Sequence, residues 1–225
     1  LVKRHGRDVN ETEPNGYTAV HEAAGSGCYP LLHLCSDLGA EMGKPDFANA
    51  ETPAHTAAAD NRVECLAVLQ GRSCDMDAVN SSGVTPAFMA CQGGHTDALD
   101  FLAGLPSVNL NRPAVSTGLT CAYLAAQGGH LGCLRVLSRH GANMAHPLRS
   151  ANVGATPLTC AAQCAHAQKL NPDALACFDF LKSHLDALEY ARNIRMHLDS
   201  GDHHTAAALM STKEYSRSRE VSGSI

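Results

Sequence analysis

The sequence predicts an all-α fold of repeated helix pairs, and three observations lead to this prediction. Five short segments of similar sequence recur along the chain at a nearly constant spacing. Each of them is followed by a second apolar segment with the spacing of an amphipathic helix. Aromatic residues make up only 4% of the 225 residues and Trp is absent, which suits thin, closely packed helices. Together these features favour a helical solenoid.

The recurring segments each begin with a threonine. The five threonines are 34, 33, 35 and 36 residues apart: Thr18, Thr52, Thr85, Thr120 and Thr156. The segments read TAVHEAAGSGC, TPAHTAAADNR, TPAFMACQGGH, TCAYLAAQGGH and TPLTCAAQCAH. A period of this length predicts one supersecondary unit per repeat, which buries its apolar face by stacking on its neighbours.

The residue types in each segment suit a short helix. The threonine hydroxyl can cap the helix N-terminus, and in three segments a proline follows at the first helical position, where its missing N–H costs nothing. A pair of small residues next lets neighbouring helices approach closely. Nine residues after the threonine comes a residue type that tolerates a left-handed C-terminal cap, namely Gly27, Asn61, Gly94 or Gly129, whereas Ala165 breaks this rule.

A second helix is predicted in each unit from its apolar spacing. The apolar positions in the first four units are Leu31, Leu32, Leu34 and Cys35; Cys65, Leu66, Val68 and Leu69; Ala98, Leu99, Phe101 and Leu102; Cys133, Leu134, Val136 and Leu137. In the fifth unit the corresponding set arrives eight residues late: Cys177, Phe178, Phe180 and Leu181. We therefore expect the insertion, centred on 166–172, to lengthen the turn between the two helices of that unit.

The segments resemble the ankyrin-repeat family, with its T-P-L-H-x-A signature and its unit of roughly 33 residues. The resemblance covers residues 1–185 and implies an ankyrin-repeat α-solenoid with short β-hairpin connections, about five full repeats and a truncated first one. The units are expected near 1–15 (partial), 16–49, 50–82, 83–117, 118–153 and 154–185. Leu185, Leu188, Ala191, Ile194 and Leu198 then keep a helical spacing, so residues 186–210 are expected to form a capping helix or a degenerate repeat. A disordered tail is expected at 211–225.

Charge, hydropathy and cysteine usage narrow the class of protein. The formal net charge is −5 and the basic residues are scattered, so we expect no nucleic-acid partner. No apolar stretch is long enough to cross a membrane. None of the ten cysteines forms a C-x-x-C pair, no secretory signal opens the chain, and several cysteines fall at apolar repeat positions. We interpret them as reduced, buried residues of a cytoplasmic or nuclear protein.

Three groups of residues could suggest chemistry, and for each a structural interpretation is favoured. His21 and His55 occupy the position of the histidine in the family's signature, where the resemblance implies a local hydrogen bond that orders the turn. Cys160, Cys164 and His166 could begin a metal site, but a fourth ligand is not evident. Asp202, His203 and His204 form a third cluster, but no further ligand or catalytic partner stands near them in the sequence. Without a phosphate loop, nucleophile elbow or zinc-protease motif, we expect no catalysis, no metal and no cofactor.

The resemblance implies a non-enzymatic protein that binds another protein or peptide, as a monomer, through a concave groove of repeat tips and first helices. The partner-binding residues it implies are Asn15, Tyr17, Asn49, Glu51, Asp60, Val84, Gln92, Leu119, Gln127 and Gln163. The three glutamines share one position in successive repeats and could form a row of amides, or they could simply be helix formers suited to solvent. A second interpretation is that the chain is the substrate-recruiting arm of a larger enzyme, such as a ubiquitin ligase or a kinase.

Overall fold

The computed structural model describes residues 8–145, 147, 155–167, 172–185, 187–199 and 201–210. The chain divides between Ser116 and Thr117 into two compact units, which we call the N-terminal and C-terminal units. Both are built from short helices joined by turns, which confirms the prediction of an all-α fold. The expected truncated start at 1–7 and the expected tail at 211–225 lie outside the described residues.

The N-terminal unit contains successive pairs of antiparallel helices. The pairs are α1 (Ala19–Ser26) with α2 (Tyr29–Asp37), α3 (Pro53–Ala59) with α4 (Val63–Gly71), and α5 (Pro86–Gly93) with α6 (Thr96–Ala103). The first helices α1, α3 and α5 pack side by side in one layer, and the second helices α2, α4 and α6 form another. Each first helix also packs against the second helix of its own pair, which is the arrangement that the repeat predicts.

The C-terminal unit continues the pattern with longer helices. Its elements are α7 (Cys121–Gln127), α8 (Leu131–Arg139), α9 (Pro157–Ala167), α10 (Pro172–Ser183) and α11 (Ala187–Asp199), followed by helical residues 203–210. The first helices α7 and α9 pack together, as do the second helices α8 and α10. Both α7 and α9 also pack against their own second helix.

Capping residues set both ends of the first helices, as predicted. The first helix of each pair starts directly after the predicted threonine, and the hydroxyls of Thr85 and Thr120 accept hydrogen bonds from N–H groups three residues on, at 3.3 and 3.4 Å. At the other end, Gly27 has a φ of 79° and Asn61 a φ of 56°. These left-handed residues end the helix and let the chain turn into the second helix.

The turns that precede the first helices are hydrogen-bonded but contain no strand. The N–H of Glu13 donates to the carbonyl of Tyr17 at 2.9 Å, and the N–H of Asn80 donates to that of Val84 at 2.9 Å. None of the described residues lies in a β-strand, so the expected β-hairpin connections are tight turns. Each of these two tips has one further backbone bond inside its turn, from Gly16 to the carbonyl of Glu13 and from Gly83 to that of Asn80, and a ladder of this length is too short to make a strand pair.

The insertion in the fifth repeat does not simply lengthen a turn, as we expected. Helix α9 continues to Ala167 and α10 starts at Pro172, and they have 11 and 12 residues, whereas α7 has 7. Ala165 occupies the position where other repeats have a glycine or asparagine cap, so nothing stops α9 there. Part of the insertion is therefore helical, while 168–171 lie outside the described residues.

Small residues and cysteines form much of the interior, and most predicted core positions are buried. The second-helix cysteines Cys65, Cys133 and Cys177 have no exposed surface. All ten cysteines lie in the described residues, none of them in a disulfide, and seven are buried. Leu34 is an exception, because 52% of it is exposed; it lines an open cleft of about 530 Å³ together with Leu31 and other residues of the N-terminal unit.

The segment after α10 is helical, as expected, but its buried face differs from the predicted one. In α11, Leu198 is 44% exposed whereas Asn193 and His197 are buried. His197 Nδ1 lies 3.2 Å from Asp202 Oδ2, and the other carboxylate oxygen of Asp202 accepts from the N–H of Thr205 at 3.1 Å. This polar link connects α11 to the helical residues 203–210 across the turn. The side chains of 187–192 lie outside the described residues.

We predict that Leu134→Ala lowers the free energy of unfolding by about 2–5 kcal/mol, because Leu134 is fully buried in α8 and its truncation leaves a cavity. Urea denaturation of the full chain measures this change. Leu34→Ala is the matched control, since Leu34 occupies the equivalent helix of another repeat but is half exposed. A loss below about 1 kcal/mol at Leu134 would contradict the core described here.

Candidate functional site

The repeat tips of the N-terminal unit are joined to one another through the backbone. The N–H of Phe47 donates to the carbonyl of Asn15 at 2.7 Å, and the N–H of Ser81 donates to that of Asn49 at 2.8 Å. Gly16 makes the first of these approaches possible, because a Cβ there would lie 2.5 Å from Phe47 N, and its φ is 85°. The side chains of Asn15 and Asn49 remain exposed, at positions where we expected partner contacts.

Two buried histidines tie each tip to the next. The N–H of Thr18 donates to His21 Nδ1 at 3.2 Å, which leaves His21 Nε2 to donate to the carbonyl of Glu51 at 3.1 Å. His55 repeats the pattern one unit later, with its Nε2 2.9 Å from the carbonyl of Val84. Both rings are therefore neutral, and burial lowers the pKa of each. This confirms the structural interpretation of these histidines.

The same position carries other residues in the later repeats. Phe88 and Tyr123 stand there in the third and fourth repeats. In the fifth, the Thr159 hydroxyl accepts from the N–H of Thr156 at 2.8 Å and donates to its carbonyl at 2.9 Å. Thr159 thus hydrogen-bonds the backbone of its own turn, as the histidine does, but it makes no bond to another repeat.

Tyr17, Thr56 and Asp60 converge over the end of α1. The Tyr17 ring stacks on His21 with centroids 4.8 Å apart. A Cβ built on Gly25 would lie 3.0 Å from Thr56 Cγ2, 3.2 Å from Asp60 Oδ2 and 3.9 Å from the Tyr17 hydroxyl. The absence of a side chain at Gly25 therefore keeps the floor of this shallow site open. The structure brings together two predicted residues, Tyr17 and Asp60.

The surroundings of Tyr17 are acidic. Its pKa is raised, first by burial and then by the charges of Glu22, Asp60 and Asp46. Asp46 and Glu51 also act on the neighbouring His21. Glu22 and Asp60 are exposed, whereas Asp46 is half-buried and accepts from the N–H groups of Asn49 and Glu51.

The negative charge extends over the whole N-terminal unit. Residues 1–116 contain fourteen Asp and Glu against seven Lys and Arg, a formal charge of −7, whereas the chain as a whole carries −5. Among residues 8–116, Lys44 pairs with Glu41, Arg72 with Asp37 and Arg112 with Asp77, whereas Arg62 Nε donates to the carbonyl of Gly25 at the Tyr17 site itself. Sequence reasoning missed Glu22, Asp46 and Thr56, and a charge count by unit would have pointed to the first two.

The other expected contact residues have different surroundings. Glu51, Val84 and Leu119 are half-buried, and the Glu51 carboxylate accepts from Asn80 Nδ2 at 3.3 Å. Gln92 in the N-terminal unit and Gln127 in the C-terminal unit are exposed. Gln163 is not an exposed amide as expected, because its Nε2 donates to the hydroxyl of Thr205 on the helical segment 203–210. Residues 203–210 therefore cover the position of Gln163, whereas the equivalent residues Gln92 and Gln127 are exposed.

The residues considered for a metal site do not come together as ligands. Within the described ranges, no three His, Cys, Asp or Glu side chains are arranged to hold a metal ion. His166 instead packs edge-on against His204, with ring centroids 5.7 Å apart, and both rings are exposed. In the part of the chain that the structure describes, no helix is long and apolar enough to span a membrane.

Stacked helix pairs with capped, hydrogen-bonded tips define a helical repeat protein. Residues 54–103 match the family model described as ankyrin repeats (many copies). These residues cover α3, α4, α5 and α6, which are two consecutive pairs in the N-terminal unit. This part of the chain is therefore similar to ankyrin repeats, and proteins with such repeats generally mediate protein–protein interactions.

The neutral histidines predict a pH dependence of stability. Because the folded-state pKa of His21 and of His55 lies below the unfolded value, the unfolded chain binds protons first as the pH falls. Their contribution is thus complete above pH ~6.5 and is lost progressively below it. We predict that the double substitution His21→Thr and His55→Thr, which copies the residue type of Thr159, flattens the dependence of unfolding free energy on pH in this window.

Urea denaturation of parent and variant between pH 5 and 7.5 tests this. At pH 7.5 the variant should be less stable by about 1–3 kcal/mol for each carbonyl left without its bond, and the difference should shrink as the pH falls. His33→Thr is the control, because His33 is exposed on α2 and should leave the pH profile unchanged. Parallel profiles for the parent and the double variant would contradict neutral, buried rings.

Proposed function

We propose that this protein recognises a basic segment of another protein, without catalysis, through the tips and first helices of its N-terminal unit. The observation that carries the proposal is the convergence of the Tyr17 hydroxyl, Thr56 and Asp60 over Gly25, in the field of nearby carboxylates. Aromatic residues beside polar groups are frequent centres of binding energy in protein interfaces. Ankyrin repeats generally bind proteins, which supports this class of function.

The sign of the charge supports a partner rich in Lys or Arg. Glu22 and Asp60 are exposed, so a basic side chain can reach them, whereas Asp46 contributes its field while capping its own turn. A formal charge of −7 over residues 1–116 raises the rate of encounter with cations and opposes nucleic-acid phosphates. The partner expected is therefore a protein or peptide. Buried cysteines at seven of ten positions support a reducing compartment, the cytoplasm or the nucleus.

The remaining predicted contacts fit this proposal in different ways. Asn15 and Asn49 expose side-chain amides at the tips, and Gln92 exposes one on α5, so each offers hydrogen bonds to a peptide backbone. Gln127 offers the same group in the C-terminal unit. A substrate-recruiting arm of a larger enzyme would use the same recognition surface, and the proposal does not depend on that choice.

We predict that fluorescein-labelled peptides rich in Lys and Arg bind the full chain, and that acidic peptides of equal length do not. The double substitution Glu22→Gln and Asp60→Asn should weaken binding of the basic peptide by roughly 5–30-fold, if each carboxylate contributes about 0.5–1 kcal/mol. Fluorescence anisotropy at low and moderate salt measures both effects, and the difference should shrink with added salt.

The matched control is Glu64→Gln with Asp97→Asn. These two exposed carboxylates lie on the second helices α4 and α6, so this variant loses the same charge from another surface. It should bind within about twofold of the parent. Equal weakening by the two double variants would show only non-specific charge attraction, and equal binding of acidic and basic peptides would overturn the proposal.

A further inference from the structure

Two apolar side chains project from the repeat tips of the N-terminal unit. Phe47 is 68% exposed and Val115 is 85% exposed. Single exposed apolar residues are ordinary on protein surfaces, so exposure alone assigns no role to them. These two share a fixed backbone position, because the N–H of each donates to a carbonyl of the preceding tip, Phe47 to Asn15 at 2.7 Å and Val115 to Ser82 at 3.0 Å.

Both side chains also lie against a glycine of the preceding tip. A Cβ built on Gly16 would lie 2.6 Å from Phe47 Cγ, and one built on Gly83 would lie 2.7 Å from Val115 N. Both glycines are left-handed, with φ of 85° and 73°. The tip between them has Ala50 at the equivalent position, with a φ of 56°, and the residue that bonds to that tip is the small Ser81. A large side chain is therefore carried only where the preceding tip has a glycine.

Phe47 is distinguished from Val115 by its ring and by its neighbours. The ring lies on Gly16, which directly precedes Tyr17, so an aromatic surface lies beside the candidate binding site. Gly16 is buried and its backbone N–H donates to the carbonyl of Glu13 at 2.8 Å, so the support under the ring is held by its own turn. Phe47 is thus an exposed aromatic residue on a fixed backbone, and little conformational freedom is lost when a partner covers it.

The tips on both sides of the ring carry negative charge. Glu13 is exposed in the turn that contains Gly16, and Asp46 directly precedes Phe47. Asp46 is half-buried and its Oδ1 accepts from two N–H groups of its own tip, which holds the carboxylate in place. The nearest cation in the sequence, Lys44, lies with its Nζ 3.9 Å from a carboxylate oxygen of Glu41. A cation from a partner is therefore attracted to this part of the surface.

We propose that Phe47 selects arginine over lysine in the partner's basic segment, by stacking its ring on the guanidinium group of one arginine. This inference rests on the proposed function, and it adds which cation is preferred and a contact residue that the repeat pattern did not single out. The other expected contacts around Tyr17 recognise positive charge, whereas the ring at Phe47 recognises the shape of the group that carries it.

The chemistry of the two cations explains the preference. A guanidinium group is planar and weakly hydrated, so it can lie flat on an aromatic ring while the N–H groups at its edge still reach carboxylates. A lysine ammonium group is compact and strongly hydrated, and contact with the ring costs it water. Carboxylates beside an exposed aromatic ring can therefore bind both cations, but the ring adds more to the binding of arginine.

The test compares two fluorescein-labelled peptides of equal length and charge, in which serine alternates with either arginine or lysine. Fluorescence anisotropy with the full chain at moderate salt should show that the arginine peptide binds more tightly. Phe47→Leu keeps the backbone bond and most of the apolar volume but removes the aromatic face. It should weaken binding of the arginine peptide by about two- to fivefold and leave the lysine peptide within about twofold of its affinity for the parent.

Two control variants separate the ring from the apolar surface. Phe47→Tyr retains an aromatic face and should keep the preference for arginine. Val115→Ala shortens an exposed apolar residue at the equivalent position of another tip and should leave both affinities unchanged. Proton NMR gives a second measurement, because the arginine Hδ signals of the bound peptide should move upfield in the ring current of the parent and less so with Phe47→Leu.

The possible results separate this inference from the function on which it rests. Equal affinity of the parent for the two peptides, or an arginine preference that survives in folded Phe47→Leu, overturns the inference and leaves a basic partner in place. Failure of both peptides to bind overturns the proposed function and the inference together. A dimer of the free chain that Phe47→Leu dissociates would assign the ring to a second copy of the chain, and this too would overturn the inference.

Discussion

Neighbouring first helices can lie side by side at short range only where both present small side chains, since a protein interior is close-packed and has little spare volume. Ala23, Ala24, Ala57 and Ala58 have no exposed surface, which shows how closely α1 and α3 pack within their layer. That contact brings the tips near enough for the N–H of Phe47 to reach the carbonyl of Asn15. It also brings the His21 ring within reach of the Glu51 carbonyl. The tip surface is therefore a consequence of helix packing.

The helical fold could be predicted because its signals are local. A threonine cap, a proline at the first helical position and a left-handed residue at the end act through the backbone of one helix. Ala165 is consistent with the same rule, because it stands where the other repeats have a left-handed capping residue, and α9 continues past it to Ala167. The expected β-hairpins were wrong for a related reason: a tip sequence indicates a turn, but strand formation depends on how many bonds its neighbours add.

Burial and convergence were harder to predict, because both depend on what a distant segment covers. From the apolar spacing we expected Leu34 and Leu198 to be buried, yet both are exposed. The spacing gives the apolar face of one helix, but it does not tell which neighbouring segment covers that face. Gln163 was expected to resemble Gln92, but the segment 203–210 reaches its amide. Tyr17 and Asp60 are 43 positions apart in sequence, and only the packing of α1 against α3 brings them together over Gly25.

The same packing sorts the titratable groups by charge state. Burial lowers the pKa of His21 and His55 and raises that of Cys65 and Cys177, so the stacked interior holds these groups in their neutral forms. Charge is thereby confined to tips, helix ends and outer faces, where in residues 8–116 it is overwhelmingly negative.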